Sequence, residues 1–432
     1  MPAAFSSAAF EQAIRGHAAV EYSKRYEKTL VAILFFTWGT VFLDRMSELY
    51  LAPYFAPVFH LNDQQIGFLA SAVSIAWAIG ALFFGALSDR IGRRKILIPG
   101  VLCFSALSWL SGFVHSFHEL LFLRALIGLV EGPCWVAISA LVEESSERSR
   151  RGRNVGIVTS GAALVGLFAA PILTTQIASR FGWRWGFFVT GVPGLVMALL
   201  IWKYVKEAEP SAAGAALRKR GAPISHYLSV LRYRNIWLCA IGAGGFISWL
   251  FLQNTFAPLL ITRDMHQDPR TAGFLLGAAG LGSFFIGLGL PSLSDRIGRK
   301  PMLLFLAALS SLLPLALLVR PLYGHLWLLA AILFVTQGGQ AIAALVIVLI
   351  PAESVPPELT GTGIGVANLV GELIGATVAP TLGGTLAESH GLGSTMLMAT
   401  GGTILLFLVV LFMKETAGSR ARATESDVPA AV

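Results

Sequence analysis

Seven polar or charged residues interrupt long apolar stretches of the chain: Asp44, Arg45, Glu48, Arg124, Glu131, Asn368 and Glu372. An ionised side chain at the centre of a bilayer costs roughly 2.5–3.5 kcal/mol on insertion scales, so those that persist need a partner and usually a task. On a helix, residues four or seven apart share a face, which puts Asp44 with Glu48 and Arg124 with Glu131. Two arginines and at least two carboxylates are therefore predicted to face one cavity.

The charges of this set predict that an anion and protons bind together. With every group ionised, Asp44, Arg45, Arg124 and Glu131 sum to zero, and protonation of both acids leaves two positive charges. A cavity that becomes positive on protonation binds an anion, and the bound anion raises the affinity of the acids for protons in return. Arginine also suits a carboxylate because its planar guanidinium offers a bidentate fork.

Structural interpretations of these residues stand beside the functional one. Arg124 lies near the start of its apolar run and could reach the membrane interface, and Asp44 and Arg45 could form a structural pair. Amides interrupt two further runs, at Gln253, Asn254, Gln337 and Gln340. In lipid such amides usually hydrogen-bond another helix, worth about 0.6 kcal/mol on average, and contact with a substrate is the alternative.

The elements that would carry these residues are membrane-spanning helices. Of 432 residues, 55% are hydrophobic and only 13% charged, against about 25% charged in soluble domains. A helix crossing the hydrocarbon core needs about 20 apolar residues. Twelve runs qualify: 31–56, 66–86, 96–114, 120–142, 154–177, 185–205, 236–261, 271–291, 302–319, 325–350, 360–383 and 393–413. The predicted fold class is an all-α integral membrane protein with twelve transmembrane helices.

The loops divide the chain into two halves and indicate its orientation. Residues 206–234 read as a cytoplasmic linker, because they contain Ala-Ala-Gly-Ala-Ala and three consecutive basic residues. We predict five parts: a segment 1–30, a bundle 31–205, the linker 206–234, a bundle 235–415 and a tail 416–432. Lysine and arginine number 25 on the side of the termini and 5 on the other, which predicts both termini in the cytoplasm. The net charge of +8 is thus a topology signal, and we expect no nucleic-acid partner.

A short basic motif occurs twice, half a chain apart. Residues 87–93 read Leu-Ser-Asp-Arg-Ile-Gly-Arg, and residues 293–299 read the same. A polar hairpin between two membrane helices that recurs in this way indicates two homologous bundles, as in transporters built from internal repeats. The alternative, that its arginines only set topology, is weakened by the second copy. The residues singled out are Asp89, Arg90, Gly92, Arg93, Asp295, Arg296, Gly298 and Arg299.

Together these features resemble the major facilitator superfamily over the whole chain. The first hairpin, from Gly85 to Lys95, matches the loop motif of that superfamily closely, whereas the second has Pro291 in place of the leading glycine. The resemblance implies two pseudo-symmetric six-helix bundles, a site near the bilayer midplane and alternating access. It also implies that the Asp and Arg residues of the hairpins form a cytoplasmic gate that holds the halves together.

Several segments resemble, more narrowly, the anion:cation symporter family, which includes bacterial proton symporters for sugar acids and other organic carboxylates. They are Asp44-Arg45 followed by Pro53, Arg124 to Glu131 with the following Gly-Pro, Arg151-Gly-Arg-Asn-Val-Gly-Ile, and Gly182-Trp183-Arg184. This resemblance implies that Asp44 and Glu131 carry protons. It further implies that Arg45 and Arg124 bind or gate the substrate carboxylate, and that Asn368 contacts the substrate.

The resemblance also extends the candidate pocket and marks departures from the family. Helices 1, 4, 7 and 10 line the cavity in the facilitator fold, which favours Gln253, Asn254 and Gln337 as pocket residues. Trp77 stands where a tyrosine is common, and two carboxylates are additional, Glu48 and Glu372. An altered pocket is therefore expected, in which the extra acids bind a second proton, pair with an arginine, or accept a hydroxyl or amine of the substrate.

Other classes of function lack their sequence features. There is no phosphate-binding Gly-x-x-x-x-Gly-Lys motif, no catalytic constellation, and no His or Cys cluster that suggests a metal. The first 28 residues lack the apolar core of a signal peptide. We expect a monomeric transporter, not an enzyme, in a bacterial inner membrane, with the proton as coupling ion and no other cofactor.

The function favoured by the sequence is proton-coupled uptake of a small organic anion, such as a sugar acid or an aromatic or hydroxylated carboxylate. Export or antiport of an organic compound by the same fold is the first alternative. Residues 166–171 lack the Gly-Pro-x-x-Gly-Gly run usual in drug–proton antiporters, which counts against export. A transporter-like anion sensor is the second alternative, and it would bind its anion without net flux.

Overall fold

The chain is a multi-pass membrane protein made almost entirely of helices. The computed structural model describes residues 24–147, 150–207, 229–356 and 359–417. Within these ranges, twelve helices are long and apolar enough to cross a membrane. In chain order they are α1 Lys24–Phe55, α2 Asp63–Ile91, α3 Arg93–Ser111, α4 Phe117–Ser145, α5 Arg151–Phe181, α6 Trp183–Tyr204, α7 Arg234–Arg263, α8 Pro269–Ile297, α9 Arg299–Ala316, α10 Leu326–Glu353, α11 Thr360–His390 and α12 Gly393–Leu411.

The backbone repeats its exceptional conformations in the two halves. Gly92 and Gly298 join α2 to α3 and α8 to α9 with φ of 115° and 112°, and Gly182 and Gly391 turn with φ of 90° and 80° before α6 and α12. A side chain is strained in this left-handed region, which is why glycine stands there. Outside glycine, positive φ occurs in the described residues only at another equivalent pair, His60 and His266. The fold is therefore two pseudo-symmetric six-helix bundles, as the repeated hairpin predicted.

Helix starts on the side away from the linker are fixed by side-chain caps. Asn62 accepts a hydrogen bond from the Gln65 amide at 2.8 Å, and the Gln65 side chain accepts one from the Asn62 amide, which together form a capping box for α2. Asp268 caps α8 in the other half by accepting from the Arg270 amide at 2.7 Å. Hydrogen bonding to Arg270 lowers the pKa of the Asp268 carboxyl, so the cap stays ionised at neutral pH.

The two halves meet closely on the side away from the linker. There α2 packs on α11, and α5 packs on α8. A Cβ at Gly67 would collide with the Pro380 carbonyl oxygen, so glycine permits this approach of the backbones. Arg263 and Asp63 form an ion pair of 2.7 Å across the same contact, and the Asp63 amide donates to Glu388 at 3.1 Å. This membrane face is closed.

The structure differs from the sequence prediction mainly at the helix ends. Helix α1 begins at Lys24 and not at residue 31, because its first turns are polar and hydropathy does not mark them. Helix α6 ends at Tyr204, and a short 3₁₀ turn, Ser229–Arg232, precedes α7. Residues 208–228, which make up most of the predicted linker, lie outside the described residues, as do 1–23 and 418–432. The domain boundaries stay predictions.

Candidate functional site

A cavity of about 570 Å³ lies between the two halves and opens on the face that carries the linker and the repeated hairpins. Its mouth is lined by Gly152 and Arg153 at the start of α5 and by Pro291, Asp295 and Arg299 around the second hairpin. Its deep end is lined by polar side chains from four helices: Arg45, Trp77, Gln340, Asn368 and Glu372. A small molecule can therefore reach the membrane interior from the linker face, while the opposite face is closed.

Arg45 is the cation at the deep end of this cavity. Its Nη2 atom lies 3.0 Å from Glu372 Oε2 and donates a hydrogen bond of 3.0 Å to Ser74 Oγ. The guanidinium lies 4.8 Å from the ring centre of Phe251 and 5.5 Å from that of Trp77, which adds cation–π attraction. Because α1 carries Arg45 and α11 carries Glu372, this ion pair joins the two halves at the inner end of the cavity.

Aromatic side chains form much of the cavity wall. Trp38 and Trp135 lie with ring centres 4.3 Å apart, and Phe42 meets Trp38 at 5.0 Å. Phe246 and Phe251 contribute from the other half. The indole Nε1 of Trp77 is buried without a hydrogen-bond partner in the described part of the chain. Flat apolar walls around one guanidinium suit an organic anion with a ring or conjugated system.

A second group of charges lies behind the cavity, inside the first half. Arg124 is fully buried, with its Nε 3.3 Å from Glu48 Oε2 and its Nη1 3.8 Å from Asp44 Oδ2. It also donates to Ser111 Oγ at 3.2 Å and lies over the Phe187 ring. Glu131 is fully buried too and interacts electrostatically with Asp44, with Arg124 and also with Arg45 at the end of the cavity. We call Asp44, Glu48, Arg124 and Glu131 the buried charge layer.

This arrangement changes the expected pairing of the charges. Arg124 does not line the cavity with Arg45, because Asp44 and Glu48 hold it in the buried charge layer. It does not reach the interface either, since its side chain is 0% exposed. Asp44 and Arg45 are not each other's partners, since Asp44 faces Arg124 and Arg45 faces Glu372. Geometry thus divides the predicted single cluster into two layers; the proton-carrying and substrate-binding roles stay predictions.

The two carboxylates that depart from the family pattern both pair with arginines. Glu48 completes the buried charge layer beside Arg124, and Glu372 holds Arg45 in the cavity. Of the three alternatives for these acids, pairing with an arginine describes this conformation. Counting them changes the total: with all groups ionised, four carboxylates face two arginines. The set of four residues predicted from the sequence is neutral, whereas the set of six that includes Glu48 and Glu372 carries two excess negative charges.

Three of the four amides on α7 and α10 lie away from the cavity. Asn254 accepts a hydrogen bond of 2.7 Å from the Tyr50 hydroxyl and so ties α7 to α1. Gln253 and Gln337 are buried, and neither lines the cavity. Gln340 does line it, one helical turn beyond Gln337. The expectation that Gln253, Asn254 and Gln337 line the pocket therefore does not fit this conformation.

Helix α10 is broken at the level of these amides, which explains the difference. Regular helix ends at Thr336 and resumes at Gly339, with Gln337 and Gly338 outside helical geometry. Neighbouring hydroxyls compensate the break: Ser310 Oγ accepts from the Gly338 amide at 3.2 Å, and Ser283 Oγ accepts from the Gln340 amide at 3.1 Å. A regular helix would have put Gln337 and Gln340 almost on one face; the break changes which of them meets the cavity.

The repeated hairpins make the same contacts inside each half. Arg93 pairs with Glu144 at 3.3 Å, and its equivalent Arg299 pairs with Glu353 at 2.8 Å. Arg299 also contacts Asp295 at 2.6 Å. These ion pairs join neighbouring helices of one bundle, α3 with α4 and α9 with α10. Neither ion pair joins the two halves in this conformation, which is open on the hairpin face. The side chains of Asp89 and Arg90 lie outside the described residues, and Arg296 forms no ion pair within them, so the gate role of the hairpins stays a prediction.

The sequence prediction missed several residues that line the cavity. Trp38, Trp135 and Arg153 face it, and Ser74 supports Arg45 from α2. Aromatic residues in apolar runs carry no distinguishing signal, because most of them pack against lipid or neighbouring helices. Arg153 lies in a stretch that the family resemblance had already marked, so its position at the mouth could have been suspected from the motif.

Comparison with known proteins identifies the family. The chain matches the model of the Major Facilitator Superfamily over residues 33–374 and again over 245–431. It belongs to that superfamily, and it is a transport protein and not an enzyme. Among solved structures it is similar to a bacterial homolog of the human lysosomal transporter Spinster, with a TM-score of 0.67 and 19% identity over 90% of this chain and 97% of the other. It is also similar to the nucleoside transporter NupG, with a TM-score of 0.71 and 12% identity over 89% of this chain and 99% of the other. At such identities these show the fold.

Relatives of similar length are named as organic-acid transporters. The probable 4-methylmuconolactone transporter of Cupriavidus pinatubonensis is 29% identical, over 83% of each chain. The 3-(3-hydroxy-phenyl)propionate transporter of Escherichia coli is 28% identical, and the cis,cis-muconate transport protein of Acinetobacter baylyi 27% identical. Both alignments cover 83% of this chain and 87% of the relative. The resemblance to the anion:cation symporter type, first drawn from motifs, is confirmed.

Proposed function

We propose that this protein takes up a small organic anion together with protons across a bacterial inner membrane. The observation that carries the proposal is the Arg45–Glu372 ion pair at the inner end of an open, aromatic-walled cavity. The Arg45 guanidinium lies in the cavity wall with its side chain only 3% exposed, and within the described residues its one ion pair is with Glu372, so a substrate carboxylate would have to replace that carboxylate to bind it. The names of the relatives, which transport muconate and hydroxyphenylpropionate, agree with that chemistry.

Binding of a substrate carboxylate to Arg45 would displace Glu372. The freed carboxylate would then lie in a site where its side chain is only 11% exposed, without its cation. Low polarity penalises an unpaired charge, and taking up one proton removes that penalty. Anion binding and protonation would therefore favour each other, which is the thermodynamic requirement for symport.

The buried charge layer supplies further capacity for protons. Its three carboxyl groups share the one guanidinium of Arg124, so full ionisation leaves two excess negative charges in a region that solvent does not reach. Protons on two of these carboxyls would restore neutrality. Asp44 lies next in sequence to Arg45, so a movement of α1 at Arg45 would also displace Asp44 in the buried charge layer. We assign proton carriage to this layer, with Asp44 and Glu131 as the main carriers and the proton as the only coupling ion.

The aromatic wall favours an unsaturated or aromatic carboxylate over a sugar acid. Indole and phenyl rings attract planar, apolar substrate groups, whereas a sugar acid needs many hydrogen-bond partners for its hydroxyls. The deep end offers few such partners, mainly Asn368, Gln340 and the Trp77 indole. An acid with one ring or a conjugated chain and one or two hydroxyls would use them.

Alternating access would follow from exchanging the closed and open faces. The α2–α11 and α5–α8 contacts close one face here, and the cavity opens on the face with the linker. The loop charges favour a cytoplasmic position for that open face and for both termini. Uptake would then require the Arg263–Asp63 pair to open and the hairpin face to close, with the protein acting as a monomer.

The test is proton flux in liposomes that contain the full-length protein and a pH-sensitive dye. We expect an inward gradient of gentisate, cis,cis-muconate or 3-(3-hydroxyphenyl)propionate to acidify the lumen, and L-galactonate to do so weakly. Arg45→Ala should reduce this flux at least tenfold, because a charge-assisted hydrogen bond is worth about 1.5–3 kcal/mol. Arg270→Ala, in an exposed pair on the closed face, is the control and should keep it.

Three outcomes would contradict the proposal in different ways. Anion uptake without acidification would show a transporter that is not proton-coupled. Binding of these acids with no flux of either species would favour a sensor, and flux driven only outward would favour export.

A further inference from the structure

A second cavity of about 570 Å³ lies at the membrane surface, outside the central site. It is a crevice between the first turns of α1 and α5, on the face where the central cavity opens. Basic side chains line its outer part: Lys24, Lys28, Arg150 and Arg153. Its inner part, toward the bilayer, is apolar and consists of Val31, Ala32, Phe35, Phe36 and Ile157. Half of the Phe36 surface is exposed.

Glu27 and Asn154 lie between the two helices that form the crevice and hold these helices together. Glu27 on α1 pairs with Arg150 at 2.5 Å and accepts a hydrogen bond of 2.6 Å from Asn154 on α5. Arg150 pairs also with Glu147, at 2.8 Å. The charge of Arg150 is thus already neutralised by neighbouring acids, and so is that of Glu27.

The other three cations of the crevice have no such partners. Across the described ranges, Lys24, Lys28 and Arg153 form no ion pair. Glu27, the single carboxylate of the crevice, is already paired with Arg150. Lys24 and Lys28 are one turn apart on α1 and face Arg153 on α5. Cations at helix ends that serve only to set topology do not need to converge on one crevice. Here they converge above an apolar floor that is open toward lipid.

We propose that this crevice binds the headgroup of an anionic phospholipid. Phosphate oxygens would meet Lys24, Lys28 and Arg153, and the first part of the acyl chains would lie along Phe35, Phe36 and Ile157. Basic pockets between transmembrane helices on the cytoplasmic side suit such headgroups. Three unpaired cations can serve two phosphates, so diphosphatidylglycerol should bind more tightly than phosphatidylglycerol.

The site also adjoins the transport pathway. Arg153 and Ile157 line the crevice on one side and the central cavity on the other. The start of α5 is thus the wall between lipid and substrate space. A headgroup held by Arg153 would draw that side chain away from the mouth of the cavity, which links lipid binding to access from this face.

The test is native mass spectrometry of the detergent-solubilised full-length chain, titrated with diphosphatidylglycerol, phosphatidylglycerol or phosphatidylcholine. We expect saturable binding of diphosphatidylglycerol at one site and much weaker binding of phosphatidylcholine. The double variant Lys28→Gln/Arg153→Gln should bind diphosphatidylglycerol roughly 30-fold more weakly, because each basic residue near an anionic lipid contributes about one factor of five to ten. The control Arg25→Gln/Arg151→Gln removes two exposed charges from the same helix turns outside the crevice and should change binding less than threefold.

Three results would overturn the proposal. Equal weakening in both double variants would mean that general surface charge attracts the lipid. Equal binding of phosphatidylcholine would mean that the apolar floor alone holds it. Displacement of the bound lipid by millimolar glycerol 3-phosphate in wild type, but not in the Lys28→Gln/Arg153→Gln variant, would assign the crevice to a soluble phosphate anion.

Discussion

The two halves share a backbone plan but differ at the centre of the membrane. In the first half, the apolar runs of α1 and α4 contain five charged residues, and four of them form a layer that solvent does not reach. In the second half, the equivalent helices α7 and α10 carry amides, and α10 is broken beside them. A single carboxylate of the second half, Glu372 on α11, reaches across to Arg45.

This difference shows how a duplicated bundle can divide its work. The charges concentrate in one half, where packing of α1 against α4 pairs Arg124 with Asp44 and Glu48. The other half contributes the break in α10 and Glu372, the carboxylate that under the proposed function competes with the substrate for Arg45. The repeated hairpins belong to the fold that the two halves share, whereas the residues that differ between the halves at the membrane centre form the candidate site.

The largest effect should come from removing the cation of the buried charge layer. Arg124→Ala leaves three carboxyl groups without their guanidinium, and breaking a buried ion pair costs about 3–5 kcal/mol. We expect the free energy of unfolding, from denaturant titration in detergent micelles, to fall by that amount. Arg124→Lys, which keeps the charge, should lose less.

Gln253→Ala, on α7, is the matched change in the other half. The Gln253 amide is buried without a hydrogen-bond partner in the described part of the chain, and even an interhelical hydrogen bond in lipid is worth only about 0.6 kcal/mol on average, so the loss should stay below about 1 kcal/mol. Similar losses in Arg124→Ala and Gln253→Ala would remove the contrast between the halves.

The next largest effect concerns the competition at Arg45. Glu372→Gln keeps the size of the side chain but replaces a charge-assisted hydrogen bond by a neutral one, a difference of about 1.4 kcal/mol. Affinity for gentisate should therefore rise about tenfold, measured by quenching of tryptophan fluorescence. The acidification per anion should fall, because the displaced group can no longer take up a proton.

Glu119→Gln, in the first turn of α4, is the control for this measurement and should change neither quantity. Unchanged affinity in Glu372→Gln would show that Glu372 does not compete with the substrate.

Much of the fold could be read from the sequence, because hydropathy and the repeated hairpin depend on local composition. All twelve spans and the pseudo-symmetry follow from them. The members of the charged site could be named for the same reason, since Asp44, Arg45, Arg124 and Glu131 stand out in apolar surroundings. Glu48 and Glu372 stood out too, as additional acids.

The partners within the site could not be predicted, because they depend on packing between distant helices. Residues 45 and 372 meet only through the contact of α1 with α11, and no local pattern records it. Helical spacing put Arg124 and Glu131 on one face correctly, yet it could not show that this face turns away from the cavity. The break in α10 also has no local signal beyond the glycines at 338 and 339, so Gln337 was chosen over Gln340.

A smaller effect should separate these two amides of α10. Gln340 lines the cavity, so Gln340→Ala should weaken gentisate binding about fivefold, the equivalent of one hydrogen bond of about 1 kcal/mol. Gln337→Ala should change it less than twofold, because Gln337 lies behind the break. The same fluorescence titration measures both, and a larger effect at Gln337 would restore the assignment made from the sequence.

The smallest difference between two variants tests how alike the two halves are where they do repeat. Glu415 accepts hydrogen bonds from the amides of Arg299 and Lys300 at 2.8 and 3.1 Å and so caps the start of α9. Its equivalent Glu207 accepts a longer hydrogen bond, from the Arg94 amide at 3.2 Å, and so caps α3. Losing a helix cap costs about 0.5–2 kcal/mol.

Glu415→Ala should therefore lower the free energy of unfolding by about 1–2 kcal/mol, and Glu207→Ala by about half as much. Denaturant titration of both variants beside wild type measures this difference. Equal losses would mean that the two caps are equivalent in solution, and that the halves differ only at the membrane centre. A larger loss in Glu207→Ala would reverse the comparison, and the hairpin of the charged half would then be the more tightly held.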